Sequence, residues 1–285
     1  MQLSFLGLGV MGYPMAGHLF RHGQTMTVYN RTPGKARRWV YEYGGQAAGS
    51  AAQAVADANI VLCCLGRDED VRDVILSPRG ALAEMRAGSL LIDHTTTSAG
   101  LARELAAACR ARDVGFVDAP VSGGQVGAEA GTLTVMAGGQ QADYQRASEV
   151  FSCYARCHRL LGPAGHGQLA KMVNQICLAG TLQGLSEALN FARVSGLDAE
   201  AVVDVIRQGA AQSWQMDNLA STMLLDKFDF GFAVEWMRKD LGYALSEADA
   251  HGCPLPVTAM VDEFYAQIET MGGKRWDTSS LIRRL

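Results

Sequence analysis

The chain has 285 residues, 48% hydrophobic and 19% charged, so at roughly 150 residues per domain it holds about two cores and is not a disordered polymer. Its 25 basic residues against 29 acidic ones leave a net charge of −4, and no basic run exceeds Arg37-Arg38 or Arg283-Arg284, which excludes a sequence-independent grip on nucleic acid. The longest apolar run of note, Ile60 to Leu65, is far shorter than the about 20 residues that cross a bilayer, so no membrane partner is expected.

The first half alternates short β-branched runs with longer helical patterns. Strands are predicted at Leu3-Leu6, Met26-Tyr29, Ile60-Leu65, Ser89-Ile92, Phe116-Val117 and Leu133-Met136. That rhythm suggests βαβ units in a parallel sheet covered on both faces. From Gln168 onward the extended runs disappear. Residues 168–195 read as one long helix, apolar on nearly every side, and further helices are expected at 198–208, 213–225, 234–251 and 256–271. The Gly162-Pro163-Ala164-Gly165 punctuation marks the boundary. The expected fold is α/β: a Rossmann-type doubly wound, mainly parallel sheet over residues 1–163, then an all-α C-terminal domain over 164–285.

Gly7-Leu8-Gly9-Val10-Met11-Gly12 follows the first strand directly, as a dinucleotide fingerprint requires. Gly7 would allow the tight turn, Gly9 the approach of a pyrophosphate and Gly12 close helix packing. The end of the second strand carries Asn30-Arg31-Thr32 in place of a carboxylate, so NADP (NADPH) is expected over NAD, with Arg31 pairing with the extra phosphate. Leu65, ending the third predicted strand, is a further candidate for the coenzyme edge.

Asp118-Ala119-Pro120-Val121-Ser122-Gly123-Gly124 ends a strand in a glycine-rich loop at the sheet edge where such domains bind ligands. The Ser122 hydroxyl and the Gly123 and Gly124 amides suit a carboxylate or an oxyanion. Downstream, Lys171 and Asn174 lie one turn apart on one face of the long helix, and Lys171 is the only Lys or Arg between Arg159 and Arg193. A lone lysine on an apolar helix is costly unless it serves a function.

Taken with Gly131-Thr132-Leu133, Gly167-Gln168-Leu169-Ala170-Lys171-Met172-Val173-Asn174 and Lys239-Asp240, these motifs span nearly the whole chain. In that order they resemble the β-hydroxyacid dehydrogenase family, which includes 3-hydroxyisobutyrate dehydrogenases, tartronate semialdehyde reductases and glyoxylate/succinic semialdehyde reductases. The resemblance implies that Lys171 is the catalytic acid/base, that Asn174 orients the substrate, and that Ser122, Gly123 and Gly124 hold its carboxylate. It also implies that Thr96 lies by the nicotinamide and ribose, that Lys239 reaches the coenzyme and substrate cleft, and that Phe232 and Asp240 face the substrate.

Asn30-Arg31-Thr32 is similar to the NADP-using, semialdehyde-reducing branch, whereas Gln175 stands where a second Asn is frequent and His94 where that branch tends to carry Met. The expected activity is NADPH-dependent reduction of succinic semialdehyde, glyoxylate or tartronate semialdehyde. The alternatives are a 3-hydroxyisobutyrate-type dehydrogenase, an imine reductase and a non-catalytic NADP-binding module.

Seven cysteines without framework spacing, and a first strand with no cationic leader before it, lead to the expectation of a cytoplasmic protein with reduced thiols. A small-molecule substrate and a homodimer or homotetramer are expected as partners. No metal is expected: His18 and His22 read as a solvated helix face and His166 as a junction residue. Trp214 and Phe232 are aromatic candidates for either a pocket or the helical core.

Overall fold

A computed structural model describes all 285 residues. The chain divides into two compact units, Met1–Lys171 and Met172–Leu285. The dividing position falls inside a helix, eight residues beyond Pro163, because the first turns of that helix are built into the first unit.

In the first unit the order is β1 (Gln2–Leu6), α1 (Gly12–Arg21), β2 (Thr25–Tyr29), α2 (Pro33–Tyr43), β3 (Gln46–Ala47), α3 (Ala51–Val55), β4 (Ile60–Cys63), α4 (Asp68–Val71), α5 (Ala81–Glu84), β5 (Leu90–Asp93) and α6 (Ala99–Arg110). Then come β6 (Gly115–Asp118), β7 (Val121–Ser122), α7 (Gly124–Ala130), β8 (Leu133–Gly139), α8 (Gln141–Phe151), β9 (Ala155–Leu160) and the long α9 (His166–Val194). The nine strands run in the order β3-β2-β1-β4-β5-β6-β8-β7, with β9 on β8. Pairing is parallel from β3 through to β6, while β8 is antiparallel to β6 and to β7.

The two-faced burial is visible strand by strand. Leu3, Phe5, Ile60, Leu62, Leu90 and Ile92 enter one core with α1, α2 and α8; Leu6, Val61, Cys63 and Leu91 enter the other with α3, α5 and α6. Side chains on a strand alternate faces, so continuous apolar runs like these belong to a sheet covered on both sides. Strand β9 was not expected from Ala155-Arg156-Cys157-His158-Arg159-Leu160, whose polar residues suit a partly exposed edge. The run Ile60 to Leu65 is a strand only as far as Cys63, after which Cys64 and Leu65 lead into the loop before α4.

The second unit continues α9 and adds α10 (Ala199–Ile206), α11 (Trp214–Leu224), α12 (Val234–Ala250) and α13 (Pro256–Thr270), followed by short 3-10 turns to the C-terminus. Its core gathers Leu182, Leu185 and Leu189 of α9 with Met216, Met237, Leu241, Tyr265 and Leu281. Two helix starts are capped by side chains: Asp198 and Ser213 each accept backbone N–H groups of the first turn. Trp214 is 55% exposed and is no part of this core. No helix is long and apolar enough to cross a membrane.

Candidate active site

The glycine turn of the first unit joins β1 to α1 at the carboxyl edge of the parallel strands. Gly7 adopts φ +98, and a Cβ there would collide with the Cys64 carbonyl; a Cβ on Gly12 would collide with the carbonyl of Gly7. Those two glycines therefore close the turn onto itself and onto β4. A Cβ at Gly9 would meet nothing within 4 Å, so the turn leaves room at the position where the fingerprint brings backbone to a pyrophosphate. This cradle fits a dinucleotide, and the α1 amides behind it favour anionic phosphates.

Asn30 braces the cradle: its Oδ1 accepts from the Leu8 amide at 2.9 Å and its Nδ2 donates to the Thr32 carbonyl at 3.2 Å. Arg31 and Thr32 stand exposed beyond it. Asp70 on α4 reaches back to Arg31, with 3.2 Å between carboxylate and guanidinium, so a carboxylate distant in sequence faces the arginine after all. A cavity of about 500 Å³ opens at the end of β2, lined by Tyr29, Ser50, Asp73, Val74 and Arg79 among others.

The loops after β4 and β5 are tied together. The Leu65 amide donates to the Thr95 hydroxyl at 2.9 Å, and Thr96 sits half-buried next to it. Behind them His94 is buried with Nδ1 2.6 Å from the Ala119 carbonyl, which can only accept; Nδ1 therefore carries the proton and the Tyr154 hydroxyl donates to Nε2 at 2.8 Å. Burial lowers the His94 pKa to about 4.

The start of α9 is clasped into the same edge. Asp118 is buried, accepting the Gly165 amide at 2.8 Å and the Gln168 amide at 3.0 Å, and burial pushes its carboxyl up to about 7 against the lowering effect of those bonds. Gln168 completes the clasp, accepting the Thr97 amide at 3.0 Å and donating to the Thr95 carbonyl at 2.8 Å. Lys171 follows three positions later on the same helix face and is 7% exposed. Sequence reading took Asp118 and Gln168 only as motif letters; the signal was a carboxylate ending a buried strand, where a partner is obligatory.

Val121 and Ser122 form the two-residue β7 against β8, after which Gly123 and Gly124 take φ +130 and +61 at the head of α7. The Ser122 side chain is half-buried, and the Gly123 and Gly124 amides lie outside the protein's own hydrogen bonds. His18 is not a freely solvated face: its Nε2 lies 3.1 and 3.0 Å from the Ala128 and Glu129 carbonyls of α7.

The second unit holds a polar cluster of its own. Asn174 donates from Nδ2 to Gln175 Oε1 at 2.7 Å, Gln175 donates from Nε2 to Asp240 Oδ2 at 2.7 Å, and the Lys239 ammonium stands 3.2 Å from Asp240 Oδ1. That ion pair lacks hydrogen-bond alignment at Oδ1. Lys239 also lies over the rings of Trp236 and Tyr243, 5.6 Å from each centroid. Phe232 is half-buried, its amide held by Asp277 Oδ2 at 2.8 Å.

Two family models cover almost the entire chain. Residues 2–162 match the NAD binding domain of 6-phosphogluconate dehydrogenase, and residues 165–285 match the NAD-binding domain of NADP-dependent 3-hydroxyisobutyrate dehydrogenase. An uncharacterized oxidoreductase of Shewanella frigidimarina is 55% identical over 284 residues, covering 100% of this chain and 98% of the relative. A probable 3-hydroxyisobutyrate dehydrogenase-like protein of Arabidopsis thaliana is 37% identical over 285 residues, covering 100% of this chain and 85% of its own. The solved structure of Mycobacterium tuberculosis 3-hydroxyisobutyrate dehydrogenase with L-serine superposes with a TM-score of 0.88 at 32% identity, covering 99% and 98% of the two chains. A glycine cradle that fits a dinucleotide, a clasped lysine helix and matches of this extent agree: the chain belongs to the β-hydroxyacid dehydrogenase family and is an NAD(P)-dependent 3-hydroxy acid dehydrogenase.

Proposed function

We propose that the chain reduces a small semialdehyde or 2-oxo acid of the succinic semialdehyde, glyoxylate or tartronate semialdehyde class with NADPH, reversibly, with Lys171 as proton donor and acceptor. The observation that carries this reading is the 7% exposed Lys171, one turn beyond a Gln168 side chain bonded to the loop that holds Thr96. When bound, the coenzyme supplies a hydride to the substrate's carbonyl carbon. The electron pair displaced from the carbonyl settles on oxygen, and the Lys171 ammonium gives that oxygen its proton, leaving a neutral amine for water to recharge. In the oxidative direction the neutral amine takes the hydroxyl proton.

Ser122 with the Gly123 and Gly124 amides serves as the carboxylate holder, since these groups are not spent inside the protein. Asn174, Phe232 and Asp240 are assigned to the substrate and Lys239 to the coenzyme. The Arg31 fork and Thr32 take the extra phosphate of NADPH, with Leu65 and Thr96 lining the coenzyme edge. The second unit exposes Phe191, Val194 and Val205 at 70, 81 and 72%, which supports a homodimer or homotetramer. All seven cysteines are free thiols, which suits the cytoplasm.

A second reading, oxidation of 3-hydroxyisobutyrate or a related 3-hydroxy acid with NAD+, is favoured by the Asp70 carboxylate beside Arg31. Steady-state rates on the three carbonyl acids with NADPH and NADH, and on 3-hydroxyisobutyrate and L-serine with NADP+ and NAD+, separate the two. We expect the best semialdehyde with NADPH to exceed every other pair in kcat/KM by about tenfold. Dominant oxidation of 3-hydroxyisobutyrate with NAD+ would replace the first reading by the second.

A further inference from the structure

We propose that Gln175 is a positioning residue which, anchored by Asp240, turns the side-chain amide of Asn174 so that its carbonyl oxygen is the acceptor offered to the substrate. This rests on Asn174 being a substrate-orienting group. Hydrogen-bond polarity decides each link. The Asp240 carboxylate can only accept, so Gln175 must present Nε2 to it, as it does at 2.7 Å to Oδ2. That leaves Gln175 Oε1 facing away from Asp240, where only a donor will serve, and Asn174 Nδ2 stands there at 2.7 Å. Asn174 therefore spends an N–H inward and keeps Oδ1 uncommitted.

The rest of the cluster makes this orientation hard to reverse. Gln175 and Asp240 are 1% and 2% exposed, so water is not at hand to replace either bond. The Lys239 ammonium stands 3.2 Å from Asp240 Oδ1, so it meets the carboxylate on the oxygen that Gln175 does not use. Gln175 reaches both partners at 2.7 Å with a side chain one methylene longer than that of asparagine. An offered acceptor selects a hydroxyl or ammonium hydrogen. A hydroxy acid has the hydroxyl at its reacting carbon, and an amino-substituted hydroxy acid has both, whereas the carbonyl carbon of the corresponding semialdehyde has neither. Gln175 thus biases recognition toward the alcohol side of the reaction.

The test is Gln175→Leu in the full-length protein, assayed in both directions, with side-chain amide exchange followed by NMR and the Asn174 signals identified by their loss in Asn174→Asp. We expect KM for the hydroxy acid to rise about tenfold, KM for the semialdehyde to change less than about threefold, and KM for the coenzyme to stay within about twofold. The Asn174 amide hydrogens should exchange about tenfold faster than in the parent. A general structural lesion would raise all three constants together. Gln175→Asn keeps an amide in the core should Gln175→Leu fail to fold, and carries the same expectation. Unchanged Asn174 exchange overturns the proposal, as does an equal rise in both substrate constants. If the parent protein turns over no hydroxy acid at all, the functional reading has failed, and the exchange measurement decides the positioning of Asn174 by itself.

Discussion

The coenzyme edge of the first unit and the polar cluster of the second are built from different materials. At the coenzyme edge the backbone does the work: Gly7 and Gly12 fold a turn that any side chain would block, and Asn30 ties that turn to the end of β2. The second unit relies on side chains, with Gln175 on α9 meeting Asp240 on α12 across 65 residues of sequence and Asn174 bonded in turn to Gln175. A backbone device announces itself by glycine at fixed spacing, whereas a side-chain device shows only after its helices have packed.

The comparison is broken most severely at Lys171, which belongs to neither device. Lys171→Ala should lower kcat by about a thousandfold, the range of a lost general acid, with coenzyme binding by fluorescence titration unchanged. A variant that keeps parental turnover would remove the lysine from the chemistry.

Next comes the clasp that joins the start of α9 to the coenzyme edge. Gln168→Leu strands the Thr97 amide and the Thr95 carbonyl in a buried place, at about 1–3 kcal/mol for each orphaned group. The melting temperature should fall, and kcat should drop about tenfold because Lys171 loses its registration with the Thr96 loop. A loss of stability with kcat unchanged would make the clasp a matter of folding alone.

These first-unit devices differ in how far they could be read from the sequence. The alternation of the strands, the glycine turn and the lysine helix were legible, since each is a local pattern with a fixed period or spacing. The polar edge strand β9 was not, because Ala155–Leu160 gains its strand character only from pairing with β8. Neither was Asp70, which follows β4 in sequence yet faces Arg31 after β2: parallel strands bring their carboxyl ends to one edge whatever their distance along the chain. Gln175 was visible only as a departure from a pattern, and its partner on α12 was not visible at all.

His94 sharpens the first unit's side of the comparison through pH. Its folded pKa of about 4 lies below the ordinary 6.5, so the fold favours the neutral ring; that stability is present above pH 6.5 and is lost as pH falls through 4. The full shift corresponds to roughly 3 kcal/mol. Buried Asp93 and Asp118, with carboxyls raised to about 6 and about 7, act in the opposite sense, losing their contribution as pH rises through those values. The His94 part is isolated by comparison: denaturant stability of the parent minus His94→Gln should shrink between pH 6.5 and 4. A difference that stays flat would show that the ring is not held neutral by the Ala119 carbonyl and the Tyr154 hydroxyl.

The smallest effect is expected where the coenzyme edge borrows a side chain from elsewhere in the sequence. Asp70 accepts the Arg67 amide at 3.2 Å within its own turn and holds Arg31 at the same distance, with Arg31 88% exposed. An ion pair so open to water is worth about 1 kcal/mol or less, so it orders the guanidinium without locking it. On the proposed reading, the 2′-phosphate of NADPH draws the Arg31 fork away from Asp70 against the carboxylate's charge, whereas the ribose hydroxyls of NADH donate to that carboxylate. Arg31→Ala should raise KM for NADPH about tenfold and leave KM for NADH nearly unchanged. Asp70→Asn should move preference the other way by at most about fivefold, lowering KM for NADPH while raising that for NADH. The two effects should subtract in the double variant, since both act through one guanidinium. Equal changes for both coenzymes would mean that Arg31 and Asp70 are a surface pair with no part in telling NADP from NAD.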